Sequence, residues 1–135
     1  MRDPEFIIFT GPMFGSKTTR LLASVDRYKY QNKKIVAFKP RMDNRYSNVE
    51  ICTHSGGKID AVGVETGLDI TKYIDDANVV FDVVAIDEAF MIDDCAEAAL
   101  DLFRSGVTVI VSSLQLSASG VVFEEIRDMM PWATK

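Results

Sequence analysis

Two kinds of apolar spacing take turns along this chain. Phe6–Thr10 (FIIFT) is a short, unbroken, β-rich run that stops at Gly11-Pro12, the pattern of a buried strand feeding a loop. From Thr18 to about Gln31 the apolar positions spread out to Leu21, Leu22, Val25 and Tyr28, which share one face of a helix. Lys34–Lys39 (KIVAFK) returns to strand spacing and is stopped by Pro40. Arg41–Lys58 is polar, with Asn, Ser and a Gly56-Gly57 pair, and reads as one long loop of the kind that usually carries function. A short helix is predicted around Leu68–Ile74. A strand is predicted over Val79–Ile86, a continuous apolar stretch broken by Asp82. Cys95–Arg104 sets alanines and leucines at helical spacing before Ser105-Gly106. Val107–Val111 is apolar without alternation, as in a strand covered on both faces, and Phe123–Met130 reads as a last short helix ended by Pro131.

Strands alternating with amphipathic helices predict an α/β fold with a mainly parallel sheet. The 135 residues carry no repeat, low-complexity tract or linker, so one domain spanning 1–135 is expected, long enough for a real core. With 47% hydrophobic and 26% charged residues, the chain has the balance of a folded protein and not of a disordered one. A net charge of -5 gives it no general attraction for nucleic acid or an anionic membrane. No apolar run approaches the ~20 residues of a membrane helix, and the acidic start shows no signal-peptide pattern, so a cytoplasmic protein is expected. Cys52 and Cys95 lie far apart and one histidine accompanies them, which predicts reduced thiols and no structural zinc.

In a parallel sheet, ligands gather at the carboxyl ends of the strands, and three polar clusters fall there. The first is the stretch after the first strand: Gly11, Pro12, Met13, Phe14, Gly15, Ser16, Lys17 and Thr18. It resembles the phosphate-binding pattern G-x-x-x-x-G-K-[ST], with the glycine one step early at Gly15 and Ser16 before the lysine. Backbone N–H groups followed by a helix N-terminus make an anion nest, Lys17 can reach terminal phosphates, and Thr18 can ligate Mg²⁺. A structural strand-to-helix turn has the same outline. The second cluster is Asp87-Glu88, straight after VVAI, placed either to hold Mg²⁺ or to cap a helix. The third is Lys39, Arg41, Asp43 and Arg45, either a site at the mouth of the second strand or a solvated face. Strand-loop-Lys-Thr followed downstream by strand-Asp-Glu is the pair of devices that phosphoryl transfer in a P-loop enzyme requires.

With these motifs in view, the chain resembles the type II thymidine kinases, the cellular, bacterial, poxviral and phage class. GPMFGSKTTRLL is similar to the family's G-P-M-F-S-G-K-[ST]-[TS]-x-L-[LI], apart from the inverted Gly15-Ser16 pair. KPRMDNRYSNVEICTHSGG resembles its K-P-x-x-D-x-R-Y-S…T-H-D segment, with Asp43, Arg45, Tyr46, Thr53 and His54 in place. VVAIDEAFMIDD and SGVTVIVSSL resemble two further family segments in the same order.

The resemblance implies a P-loop NTPase-like three-layer domain and a deoxynucleoside kinase. Such an enzyme transfers the γ-phosphate of ATP, with Mg²⁺, to the 5′-hydroxyl of a nucleoside such as thymidine. It implies that residues 11–18 cradle the phosphates and that Thr18 and Asp87 organise Mg²⁺, assisted by Asp43. By the same likeness Lys17 and Arg45 approach the transferring phosphoryl group and Glu88 is the general base. Met13, Leu114 and Phe123 would line the thymine pocket, with Phe90 taking the place of a family aromatic; ordinary core packing is the other reading of these four. The expected partners are ATP, a nucleoside and other copies of the chain, with no nucleic acid and no membrane. The family's glutamine after D-E-[AG] is replaced, most of its segment after Leu114 differs, and its zinc-binding lasso domain is expected to be absent. Because these departures fall on the acceptor side, a nucleotide-binding relative without kinase turnover, regulatory or partner-binding, is the alternative.

Overall fold

The computed structural model describes residues 4–10, 17–41, 48–52, 58–113, 127 and 129–134. Its frame is a six-stranded sheet made of β1 (Phe6–Thr10), β2 (Ile35–Pro40), β3 (Asn48–Cys52), β4 (Lys58–Val64), β5 (Val83–Ile86) and β6 (Thr108–Ser113), in the spatial order β1-β6-β5-β2-β4-β3. Every neighbouring pair is parallel except β3 with β4, which is antiparallel. The mainly parallel α/β sheet predicted from the sequence is therefore present.

Helices cover both faces, because side chains alternate along each buried strand. On one face α1 (Lys17–Tyr30) lays Leu21, Leu22 and Val25 against Ile7, Ala37, Ala85 and Ile110. On the other, α2 (Gly67–Asp76) and α3 (Cys95–Arg104) bury Ile70, Cys95, Ala96 and Ala99 against Phe6, Phe38, Val84, Ile86 and Val111. Phe6 also meets the edge of the Phe103 ring at 5.4 Å. The alanines on α3 let the helix sit close to the strands. The three layers follow from these two clusters.

Local chemistry sets the helix limits. Thr66 and Asp69 form a reciprocal capping box at the start of α2. At the end of α3, Gly106 takes φ 101°, its N–H bonds to the Phe103 carbonyl, and the Val107 N–H bonds to the Leu102 carbonyl. That pair of bonds is a Schellman closure, and the left-handed residue it requires is glycine.

Three expectations are corrected. The long loop predicted for residues 41–58 contains β3 and the start of β4, a hairpin in which Ile51 pairs with Ile59. The strand predicted over Val79–Ile86 begins at Val83. Asn78 adopts φ 53°, Val80 is 83% exposed, and the Asp82 carboxylate accepts the Lys34 N–H at 2.9 Å, so the chain turns before it joins the sheet. Of the helix predicted over residues 123–130, Arg127 and Met129 are helical, and Met130–Trp132 is a 3₁₀ turn with Pro131 at its centre. Beyond that turn, Thr134 bonds back to Phe6 through both its N–H and its hydroxyl, at the outer edge of β1. Cys95 is buried and forms no disulfide. No described helix is long and apolar enough to cross a membrane.

Candidate active site

The parallel strands all point the same way, so Thr10, Lys39-Pro40, Val64, Ile86 and Ser113 end at one rim of the sheet. Three segments converge there: the start of α1, the turn after β5 and the end of β6.

The start of α1 is cationic. Its first turn reads Lys17-Thr18-Thr19-Arg20 and contains no acidic residue. A helix N-terminus carries the positive end of the backbone dipole and leaves N–H groups unpaired, so basic side chains are the unfavourable choice there unless an anion is bound. α1 ends with Arg27 and Lys29, where cations are favourable. The first turn thus carries a charge that makes physical sense beside phosphate.

Directly after β5 comes Asp87, 4% exposed, whose N–H continues the ladder to β2 through the Phe38 carbonyl at 2.9 Å. Its Oδ1 accepts the Thr18 hydroxyl at 3.3 Å across a separation of 69 residues. The structure thus joins two residues that the sequence nominated independently. A carboxylate this well buried needs hydrogen bonds or a cation beside it.

Glu88 follows in the left-handed region, φ 50° and ψ 45°. For a non-glycine residue this costs on the order of 1–2 kcal/mol, and it persists only where the surroundings enforce it. Glu88 precedes a 3₁₀ turn, Ala89–Met91, but its side chain makes no capping hydrogen bond, so the simple cap is not the role it takes. Phe90 in this turn is half-buried, and its N–H donates to Ser113 Oγ at 3.1 Å. After the turn, Asp93 bridges to Thr66: its N–H meets the Glu65 carbonyl and its carbonyl receives the Gly67 N–H at 2.7 Å.

Of the basic cluster, Lys39 and Arg41 are described, and neither is fully solvated. Arg41 continues the β2 ladder through its N–H to the Val64 carbonyl, and its side chain, 8% exposed, pairs with Glu65 at 2.8 Å. Lys39 is half-buried. Nothing in the local sequence marked Glu65 as the partner of Arg41, because the two are brought together only by the pairing of β2 with β4. Ser112 and Ser113 were likewise passed over. Two consecutive hydroxyls close β6, on opposite faces of the sheet, and among the described residues Ser112 Oγ is buried without a hydrogen-bond partner. An apolar strand ending in serines at the carboxyl rim of the sheet was the available signal.

Of the residues nominated from the sequence, Lys17, Thr18, Asp87, Glu88 and Phe90 lie at this rim. Gly11, Pro12, Met13, Phe14, Gly15, Ser16, Asp43, Arg45, Leu114 and Phe123 lie outside the described residues.

Comparison with known proteins points the same way. The family model described as thymidine kinase matches residues 5–135. A thymidine kinase of Pyrobaculum aerophilum is 35% identical over 130 residues, covering 96% of this chain and 70% of that protein. A thymidine kinase of Thermococcus kodakarensis is 36% identical over 127 residues, covering 91% of this chain and 64% of that protein. The chain therefore spans roughly two thirds of the length of these relatives. A match over nearly the whole chain, with the Thr18–Asp87 pair formed at the sheet rim, leaves one conclusion: this chain belongs to the thymidine kinase family.

Proposed function

We propose that this chain is the nucleotide-binding part of a thymidine kinase, transferring the γ-phosphate of ATP to the 5′-hydroxyl of thymidine or a related deoxynucleoside. The observation that carries this reading is the Thr18–Asp87 contact under a helix start without acidic residues. Residues 11–18 bind the donor phosphates, and Lys17 offsets the charge that gathers on the transferred group.

Thr18 and Asp87 fit Mg²⁺ by their donor chemistry, a hydroxyl and a buried carboxylate within 3.3 Å of each other. Magnesium keeps several waters and takes phosphate oxygens, so one or two protein oxygens suffice. When bound, the ion supplies neutralisation of phosphate charge. Asp43 assists on the donor side, and Arg45 spreads the charge on the transferring phosphoryl oxygens.

Glu88 is the general base. Its carboxylate takes the proton of the 5′-hydroxyl as the new oxygen–phosphorus bond forms and the bond to the β-phosphate oxygen breaks, releasing ADP. The left-handed backbone lifts this side chain out of line with the strand that precedes it. Met13, Phe90, Leu114 and Phe123 pack against the base. A homo-oligomer working in the cytoplasm goes with this reading.

The test is phosphoryl transfer from ATP·Mg²⁺ to a panel of nucleosides by the wild type and Glu88→Gln. Transfer to thymidine that collapses in the variant is expected. ATP binding without transfer to any acceptor would overturn the kinase assignment and leave a nucleotide-binding protein without turnover.

A further inference from the structure

Glu88 stands in a backbone conformation that its own sequence does not favour, so something must hold it. The residue before it, Asp87, is tied to β2 through its N–H. The turn after it is closed internally by Met91 N–H to the Glu88 carbonyl and Ile92 N–H to the Ala89 carbonyl, each at 3.0 Å. Its far end is tied to the start of α2 through Asp93. Between these ends, the Phe90 N–H reaches the hydroxyl of fully buried Ser113 at 3.1 Å, across 23 residues. Of these tethers Ser113 is the one made by a side chain, so a single substitution can release it while the backbone ladder stays.

We propose that Ser113 is a positioning residue for Glu88: by accepting the Phe90 N–H it fixes the turn that presents the Glu88 carboxylate to the acceptor hydroxyl. The proposal rests on the kinase reading for its catalytic half, while the tether itself is a property of the fold. Ser113 acts through geometry, by the hydrogen bond its oxygen accepts, and not as an acid or base. A carboxylate displaced by a fraction of an ångström loses alignment with the hydroxyl it must deprotonate, so turnover suffers more than donor binding.

The test compares wild type, Ser113→Ala, Ser113→Thr, Glu88→Gln and the double variant Ser113→Ala/Glu88→Gln. Steady-state kinetics are read together with thermal unfolding and amide hydrogen exchange over residues 89–92. Ser113→Ala is expected to lower kcat about tenfold while leaving KM for ATP within about twofold, the signature of a displaced catalytic group and not a lost binding site. Exchange at Phe90 and Met91 accelerates, and Ser113→Thr, which keeps the hydroxyl and suits a strand, restores both. In the Glu88→Gln background the alanine substitution has no further effect on kcat, because the group it positions is gone.

Unchanged exchange in Ser113→Ala overturns the tether. Faster exchange with unchanged kcat overturns the positioning role, as does a loss of kcat that persists in the Glu88→Gln background or merely tracks a fall in thermal stability. A wild type that transfers no phosphate overturns the kinase reading and the catalytic half with it, and the exchange measurement still decides whether Ser113 holds the turn.

Discussion

Thr18 Oγ1 and Asp87 Oδ1 meet at 3.3 Å although 69 residues separate them, one on the first turn of a helix and the other at the end of a strand two places across the sheet. The contact exists because β1, β6 and β5 run parallel in that order and bring their carboxyl ends together. Replacing Asp87 with Asn keeps the shape, the ladder bond and an acceptor for Thr18, but removes the charge. Turnover is expected to fall about 10²–10³-fold with little change in the unfolding midpoint. A near-wild-type rate at saturating Mg²⁺ would refute a metal role for Asp87.

Thr18 separates hydroxyl chemistry from packing. Thr18→Ser retains the oxygen and is expected to keep most of the activity, whereas the near-isosteric Thr18→Val is expected to lose roughly tenfold or more in kcat/KM for ATP·Mg²⁺. Equal activity of the two variants would show that the hydroxyl is not used.

Gly67 begins α2 against the start of α3, and a Cβ there would run into the backbone carbonyl of Asp94. Gly67→Ala is therefore expected to destabilise the fold by about 1–3 kcal/mol, as overpacking does. Urea unfolding checks this as a lower midpoint at unchanged slope. Gly106→Ala probes a different cause, because open space surrounds Gly106 and only its φ of 101° resists a side chain. Its expected cost of roughly 1–2 kcal/mol is purely conformational.

The Arg41–Glu65 pair is asymmetric. Arg41 is nearly buried while Glu65 is 56% exposed, so solvent screens the charge attraction. Glu65→Gln is expected to cost less than about 1 kcal/mol. Arg41→Ala is expected to cost roughly 1–3 kcal/mol, because it also removes the packing of the arginine stem. Equilibrium unfolding of both variants and their double compares the two, and equal losses would contradict this division.

How much of this could be read from the chain depended on whether a feature is local. β1 and α3 were legible to the residue, since FIIFT has the apolar density of a buried strand and CAEAALDLFR the spacing of a helix with a glycine exit. The β3–β4 hairpin was not, because Gly63 interrupts the face of Ile59 and Ala61 and Asp60 interrupts the face of Val62 and Val64, and strand identity there depends on pairing with β2. Val79 and Val80 misled in the opposite direction: their hydrophobicity suggested sheet, but the Asp82 side chain serves the Lys34 backbone and the strand starts after it. Thr18 and Asp87 were legible because each belongs to a compact motif. Glu65 and Ser113 were not, because their roles come from residues that the topology sets opposite them.

The joint between Thr66 and Asp93, with Gly67 pressed onto Asp94, has a mechanical consequence. α2 and α3 share a stiff corner at their N-termini, and the turn bearing Glu88 runs straight into it. The two helices cannot part like jaws at that end without breaking backbone bonds. Any movement of that end of α2 therefore takes the start of α3 and the far end of the turn with it.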